Sequence, residues 1–297
     1  MKYISVSEYA KNWNIPDRTV RNYCAAQKLK GAFLTGKTWN IPDDATLPGK
    51  GRRKQFSNNL LLNHLKEQKD MKLKGGIYHR TQIDLTYNSN RIEGSRLTHD
   101  QTRFIFETNT IGITTENINV DDIIETTNHF RCIDVIIEKA KSKLLESFIK
   151  EMHYLLKSGT SDGRKDWFNI GEYKKMPNEV GGNATCPPKE VPVKMKALLA
   201  HYNDIEKKTI EDIIAFHQHF EVIHPFQDGN GRVGRLIMFK ECLANNVVPF
   251  IIDEALKLFY YRGLREWEIA REYLIDTCLT AQNNYNTILK YFEINVE

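Results

Sequence analysis

The chain has 297 residues, 41% of them apolar and 27% charged, with 17 glycines and 9 prolines. That balance supports a packed core and excludes collagen-like, low-complexity or wholly disordered sequence. The net charge of +4 conceals an asymmetry: residues 1–54 hold 11 Lys and Arg against Glu8, Asp17, Asp43 and Asp44, whereas the rest carries 31 bases against 34 acids.

No apolar run exceeds Val247–Ile252, far short of the roughly 18 residues a membrane-spanning helix needs, so no membrane partner is expected. The start turns polar within eight residues, so no secretory signal is visible and a cytoplasmic location is expected. Five separated cysteines without a C-x-x-C pair read as reduced, buried thiols.

Along the chain, Val6, Tyr9, Ala10 and Trp13 repeat at helical spacing, with Ser7 placed to cap. Asn14-Ile15-Pro16 breaks that helix, and Asp17 caps a second, running from Arg18 to about Gln27, with Val20, Tyr23 and Cys24 on one face. Ala32–Thr35 and Thr38–Ile41 flank Gly36-Lys37 as a hairpin. Residues 3–45 thus resemble the winged helix-turn-helix of excisionase-like proteins. The resemblance implies DNA as a partner of residues 1–54, and residues 1–48 form the expected domain. Gly31–Thr38 also spells the phosphate-loop pattern, but a helix precedes it and Pro42 follows, so the strand-loop-helix context is missing. Leu47–Ser57, with four bases, two glycines and a proline, reads as a basic linker over residues 49–58.

From residue 59 to 297 amphipathic stretches predict a mainly α body: Asp121–Leu156, Val191–Lys207, Ile210–Ile223, Gly231–Asn246, and Leu264–Phe292 with breaks. Thr86–Gly94 reads as a polar surface helix that stops at Gly94. Residues 169–188, rich in Gly, Asn and Pro, predict an exposed β-hairpin flap.

Chemistry concentrates in His224-Pro-Phe-Gln-Asp-Gly-Asn-Gly-Arg-Val-Gly-Arg235. Asp228–Gly231 is a turn in which glycines let consecutive amides face one concavity at the start of the next helix, an anion cradle. Arg232 and Arg235, three apart, extend it toward a polyphosphate. Asp228 offers the single carboxylate that phosphate-bound Mg²⁺ typically takes, and His224 is a base with an ordinary pKa of about 6.5.

This string resembles the Fic-domain signature H-x-F-x-[D/E]-G-N-G-R-x-x-R at every defined position, a match expected by chance on the order of 10⁻⁸ times in a chain this long. The similarity extends over most of residues 75–270. It implies a mainly α, Fic-type helical core with a short hairpin flap, beside the small N-terminal domain. It also implies transfer of AMP from ATP to a Ser, Thr or Tyr hydroxyl of a protein. By position, His224 is then the general base and Asp228 the Mg²⁺ carboxylate. Gly229, Asn230 and Gly231 bind phosphate and steady charge at the α-phosphorus. Arg232 holds the phosphate tail and Arg235 the γ-phosphate. Tyr260 and Tyr261 are expected adenine contacts, Phe226 a packing anchor, and the flap pairs with the target's main chain. Thr86–Gly94 matches the family's inhibitory motif [S/T]-x-x-x-E-[G/N] through Ser89, Glu93 and Gly94, which implies a helix near 84–94 that pairs Glu93 with Arg235. Two alternatives stand beside this reading: a DNA-binding regulator with a nucleotide-sensing Fic body, and a relative that removes AMP or transfers another phosphate-containing group. Nothing in the sequence fixes an oligomeric state.

Overall fold

In the computed structural model, residues 3–13, 15, 17–25, 27–36, 38–45, 60–112 and 117–294 are described. The expected linker at 49–58, the breaking residues Asn14 and Pro16, and Lys37 lie outside them. The chain divides into two compact units, residues 1–56 and 57–297.

In the first unit a short strand β1 (Tyr3–Ile4) leads into α1 (Val6–Trp13) and α2 (Asp17–Ala25), then β2 (Phe33–Thr35) and β3 (Thr38–Pro42). The cap of α1 is Ser5, whose Oγ accepts the Glu8 amide at 3.2 Å. Ser7, the expected cap, donates instead to Asp17 Oδ2 at 2.8 Å and ties the two helices together. The hairpin forms as expected, with Leu34 opposite Trp39. Strand β1 was not foreseen: Ile4 pairs with Ile41, giving a three-stranded sheet in the order β1-β3-β2. Ile4, Tyr9, Val20, Cys24, Leu29 and Ile41 make a core of this unit's own. The phosphate-loop letters fall on a turn and these two strands, and no helix starts there.

The second unit is helical: α3 (Leu60–Asp70), α4 (Ile77–Ile92), α5 (His99–Thr108), α6 (Val120–Lys139) and α7 (Glu146–Lys157) precede a hairpin of β4 (Glu179–Val180) and β5 (Asn183–Ala184). After it come α8 (Val191–Asp204), α9 (Ile210–Ile223), α10 (Asn230–Asn245), α11 (Lys257–Arg265) and α12 (Glu272–Tyr291). The run expected from Asp121 to Leu156 is two helices, broken at Ala140–Leu145, where Ser142 Oγ donates to the Lys139 carbonyl at 2.7 Å. Among the described residues no helix is long and apolar enough to cross a membrane.

Helix α10 is the axis of this unit. Every residue from Asn230 to Leu243 is buried, and the helix packs against α4, α6, α7 and α9. Val233, Leu236, Ile237 and Phe239 supply its apolar contacts, each fully buried aliphatic or aromatic side chain worth about 1.5–3 kcal/mol. A helix enclosed this way presents its N-terminal amides from a fixed point.

Candidate active site

The loop joining α9 to α10 is built by side chains that bond its main chain. His224 ends α9 in a left-handed conformation (φ 51°), its amide bonded to the Phe220 carbonyl at 2.9 Å. Phe226, fully buried, stacks on the His153 ring at 3.9 Å between centroids. Asn230 closes the loop on itself, accepting the Phe226 amide at 2.8 Å and donating to its carbonyl at 2.9 Å. Expected to grip phosphate, the Asn230 side chain is turned inward instead, onto the Phe226 main chain. His153 takes the Gly171 amide at Nδ1 (2.9 Å), which leaves Nε2 as donor to the Asp228 carbonyl at 3.1 Å. Gly229 has φ 78°, a conformation glycine adopts without cost, and it opens α10.

The flap is fastened to the same loop. The Lys174 amide donates to the Pro225 carbonyl at 2.9 Å, and its ammonium reaches Asn178 Oδ1 (2.7 Å) and Thr185 Oγ1 (2.6 Å) across the hairpin base. Asn178 Nδ2 donates to the Phe226 carbonyl at 3.1 Å. Burial lowers Lys174 to about 8. Burial, then the nearby Lys174 charge, lowers His224 to about 4 rather than the ordinary 6.5 expected from its sequence. The imidazole is therefore neutral at physiological pH, and its Nδ1 is buried.

Asp228 is half-exposed, and its Oδ2 is shared by Lys157 Nζ (2.7 Å) and Arg232 Nη2 (3.2 Å). Burial opposes ionisation there, but Arg232 and Lys157 outweigh it and hold the carboxyl well below its usual range. Arg232, expected on the phosphate tail, is buried and paired with Glu125 as well as Asp228. Lys157 also pairs with Glu125 and with Asp162, the latter at 2.5 Å. Oxygens of Glu125, Asp162 and Asp228 lie within 4.8 Å of one another, as the ligands of one cation would, and the cation among them is the Lys157 ammonium. The donor set still fits Mg²⁺ on a nucleotide, because Asp228 is half in solvent with both cations on a single oxygen.

Arg235 faces the other way. Its Nε and Nη2 donate to Ser89 Oγ (3.0 Å) and the Ser89 carbonyl (2.9 Å), and Nη2 meets Glu93 Oε1 at 2.6 Å. A Cβ on Gly231 would collide with that Glu93 oxygen, so the carboxylate lies directly on the first turn of α10. The segment read as a surface helix is in fact interior: Thr86, Ser89 and Asn90 are buried on α4. Tyr261 OH donates to the Ile92 carbonyl at 3.2 Å, beside the Glu93 turn. Tyr260 is only 1% exposed, with its phenol 2.7 Å from His217 Nε2, so its ring packs in the core and offers no face to adenine. Tyr261, partly exposed, remains the expected contact.

Sequence reasoning missed Glu125, Lys157, Asp162 and Lys174. The signal for two of them is a charge in a core position: Lys157 follows Ile149, Met152 and Leu156 on the buried face of α7, and Glu125 lies on the buried face of α6.

The site is thus a helical bundle whose axial helix opens on a glycine loop, with a histidine at its entry, two arginines along its first turns and a hairpin fastened to the loop. Residues 143–242 match the Fic/DOC family. The chain resembles that family over this stretch. It is 28% identical over 185 residues to the protein adenylyltransferase Fic of Drosophila persimilis, spanning 60% of this chain and 35% of that one. For the Drosophila melanogaster protein of the same name the identity is 27% over 188 residues, spanning 60% and 36%. The match thus spans about a third of the length of these curated relatives. Among solved structures, a Fic domain-containing signaling protein from Bacteroides thetaiotaomicron superposes with a TM-score of 0.63 at 24% identity, over 81% of this chain and 99% of that one. Fic-1 of C. elegans gives 0.59 at 21%, over 79% and 73%. Both likenesses are of fold.

Proposed function

We propose that the protein transfers AMP from ATP to a hydroxyl of a protein substrate, and that Glu93 restrains it. One observation carries this reading: a carboxylate, that of Glu93, lies against Gly231 in the first turn of α10, held by Arg235. A site that accepts the chain's own anion suits a phosphate, since helix N-termini favour negative charge.

In the reaction the target oxygen bonds to the α-phosphorus, the bond from that phosphorus to the bridging oxygen breaks, and pyrophosphate leaves. The hydroxyl proton passes to His224, and with Nδ1 buried, Nε2 is the atom that takes it. Main-chain amides at Gly229–Gly231 face the charge that grows on the α-phosphate, preorganised donors of the kind that carry most of such catalysis. Arg235, once Glu93 withdraws, holds the γ-phosphate, and Tyr261 lies where it meets the base. Asp228 is the residue that would hold a Mg²⁺ ion, which would supply positive charge to the phosphates. The flap, braced by Lys174 and Asn178, presents edge main chain to the target segment.

The test is labelling with α-³²P-ATP. In the Glu93→Gly background, His224→Ala loses about 10²–10⁴-fold in transfer while ATP binding persists; undiminished labelling removes His224 as base. For the first unit, its two helices, hairpin and separate core support a DNA-docking role. Gel shifts of the full chain against random duplexes, with and without ATP, test that role and the nucleotide-sensor alternative together.

A further inference from the structure

Three acids from three separate elements converge on one ammonium beside the proposed catalytic loop. Lys157 Nζ meets Glu125 from α6, Asp162 from the turn after α7 (2.5 Å) and Asp228 from the motif loop (2.7 Å). Its side chain is 3% exposed. An ammonium has three hydrogens, and three carboxylates use all of them, so none is left for a nucleotide. Lys165 caps the outer side of Asp162 at 2.5 Å, and Arg232 completes the group by joining Glu125 to Asp228.

We propose that Lys157 is a positioning residue for the metal-holding carboxylate: by filling the centre of the Glu125–Asp162–Asp228 cage it fixes Asp228 Oδ2 inward, turns the other oxygen outward, and keeps divalent cations out of the cage. This rests on the reading of Asp228 as the Mg²⁺ carboxylate. The reasoning is one of charge and geometry. Three carboxylates this close repel one another and would recruit a divalent ion between them if no cation were there. A metal captured in the cage would sit on the inner side of Asp228, away from the phosphates. A covalently tethered ammonium answers both demands at once. Arg232, from the same side, bonds Glu125 and Asp228 but makes no pair with Asp162, so it does not span the three acids as the ammonium does.

The experiment is Mn²⁺ titration followed by electron paramagnetic resonance, on the full chain carrying Glu93→Gly, with and without a non-hydrolysable ATP analogue. Lys157→Met in that background is expected to bind Mn²⁺ without nucleotide at least tenfold more tightly than the parent, and with the analogue at least tenfold more weakly. Lys157→Arg restores the parent's pattern in both conditions. If Lys157→Met does not fold, the triple variant with Glu125→Gln and Asp162→Asn removes the repulsion and isolates the positioning effect, with the analogue-dependent affinity still reduced. Titrations of the folded variant that match the parent in both conditions overturn the inference. Asp228→Asn separates the two levels: if it abolishes analogue-dependent Mn²⁺ binding while Lys157→Met matches the parent, only the Lys157 inference fails. If Asp228→Asn leaves that binding unchanged, the assignment of Asp228 fails and takes this inference with it.

Discussion

Arg232 and Arg235 stand one helical turn apart on α10, equally buried, and their surroundings could hardly differ more. Arg232 is enclosed by acids of the loop and of α6, Asp228 and Glu125, with Lys157 and Asp162 closing the circuit. Arg235 is met by the end of another helix, through Ser89 and Glu93, and Glu93 keeps 28% of its side chain in solvent. One arginine is part of the wall and the other is a docking point. Two residues in one motif, alike in charge and burial, are thus divided by their partners into one cation tied to the framework and, on the proposed reading, one that can be released.

Mutations on either side should separate the two roles. The largest effect is expected at the wall: Glu125→Ala leaves two buried cations short of a partner, which costs about 3–5 kcal/mol, read as a lower midpoint in chemical denaturation. A midpoint that barely moves would mean the network is no more than decoration. At the docking point the effect should appear in rate as well as in stability. Glu93→Gly is expected to raise transfer from radiolabelled ATP, automodification included, on the order of 100-fold, the rate equivalent of losing a pair worth about 3 kcal/mol. An unchanged rate would refute the restraint.

If transfer is the activity, the Glu93→Gly protein should also keep it in acid. His224 must be neutral to accept a proton, and burial with the Lys174 charge keeps it so down to about 4. At pH 5.5 an ordinary imidazole would already have lost roughly tenfold in its neutral form, whereas the Glu93→Gly rate should stay near its plateau. A profile breaking near 6.5 would contradict that environment. The fold has its own acid limit. His129, His153 and His217 are lowered to about 3, chiefly by burial. A folded pKa below the unfolded one means that stability is complete above about 6.5 and is lost as pH falls toward 3. Smallest of all, Ser89→Ala removes one of the bonds orienting Arg235, about 1 kcal/mol, and should raise transfer about fivefold. An effect as large as that of Glu93→Gly would show that the serine, not the carboxylate, carries the restraint.

What could be read in advance divides along similar lines. Helices α1 and α9 were legible to the residue because apolar spacing and helix-initiating residues coincide there, although Ser5 rather than Ser7 caps the first. The break between α6 and α7 was not, since Ala140–Leu145 contains neither Gly nor Pro. Nor was β1, two residues long and paired with a strand almost forty residues on. At the site, His224–Arg235 was legible because it is contiguous. Lys157 was not, since its partners Glu125 and Asp228 lie 32 and 71 positions away and no periodicity links them. Burial was the other hidden variable. It turned Tyr260 from an adenine contact into core, Asn230 from a phosphate ligand into a loop clasp, and His224 into a weaker base than its type suggests.

That clasp has a consequence for how regulation could evolve. Because Asn230 and His153 shape the bend with bonds internal to the protein, the loop does not wait for a nucleotide to assemble it. On the proposed restraint by Glu93, control needs only to lift an obstruction from a finished surface, and a different obstruction, from another helix or another molecule, could take over that task without altering a single atom of the loop beneath.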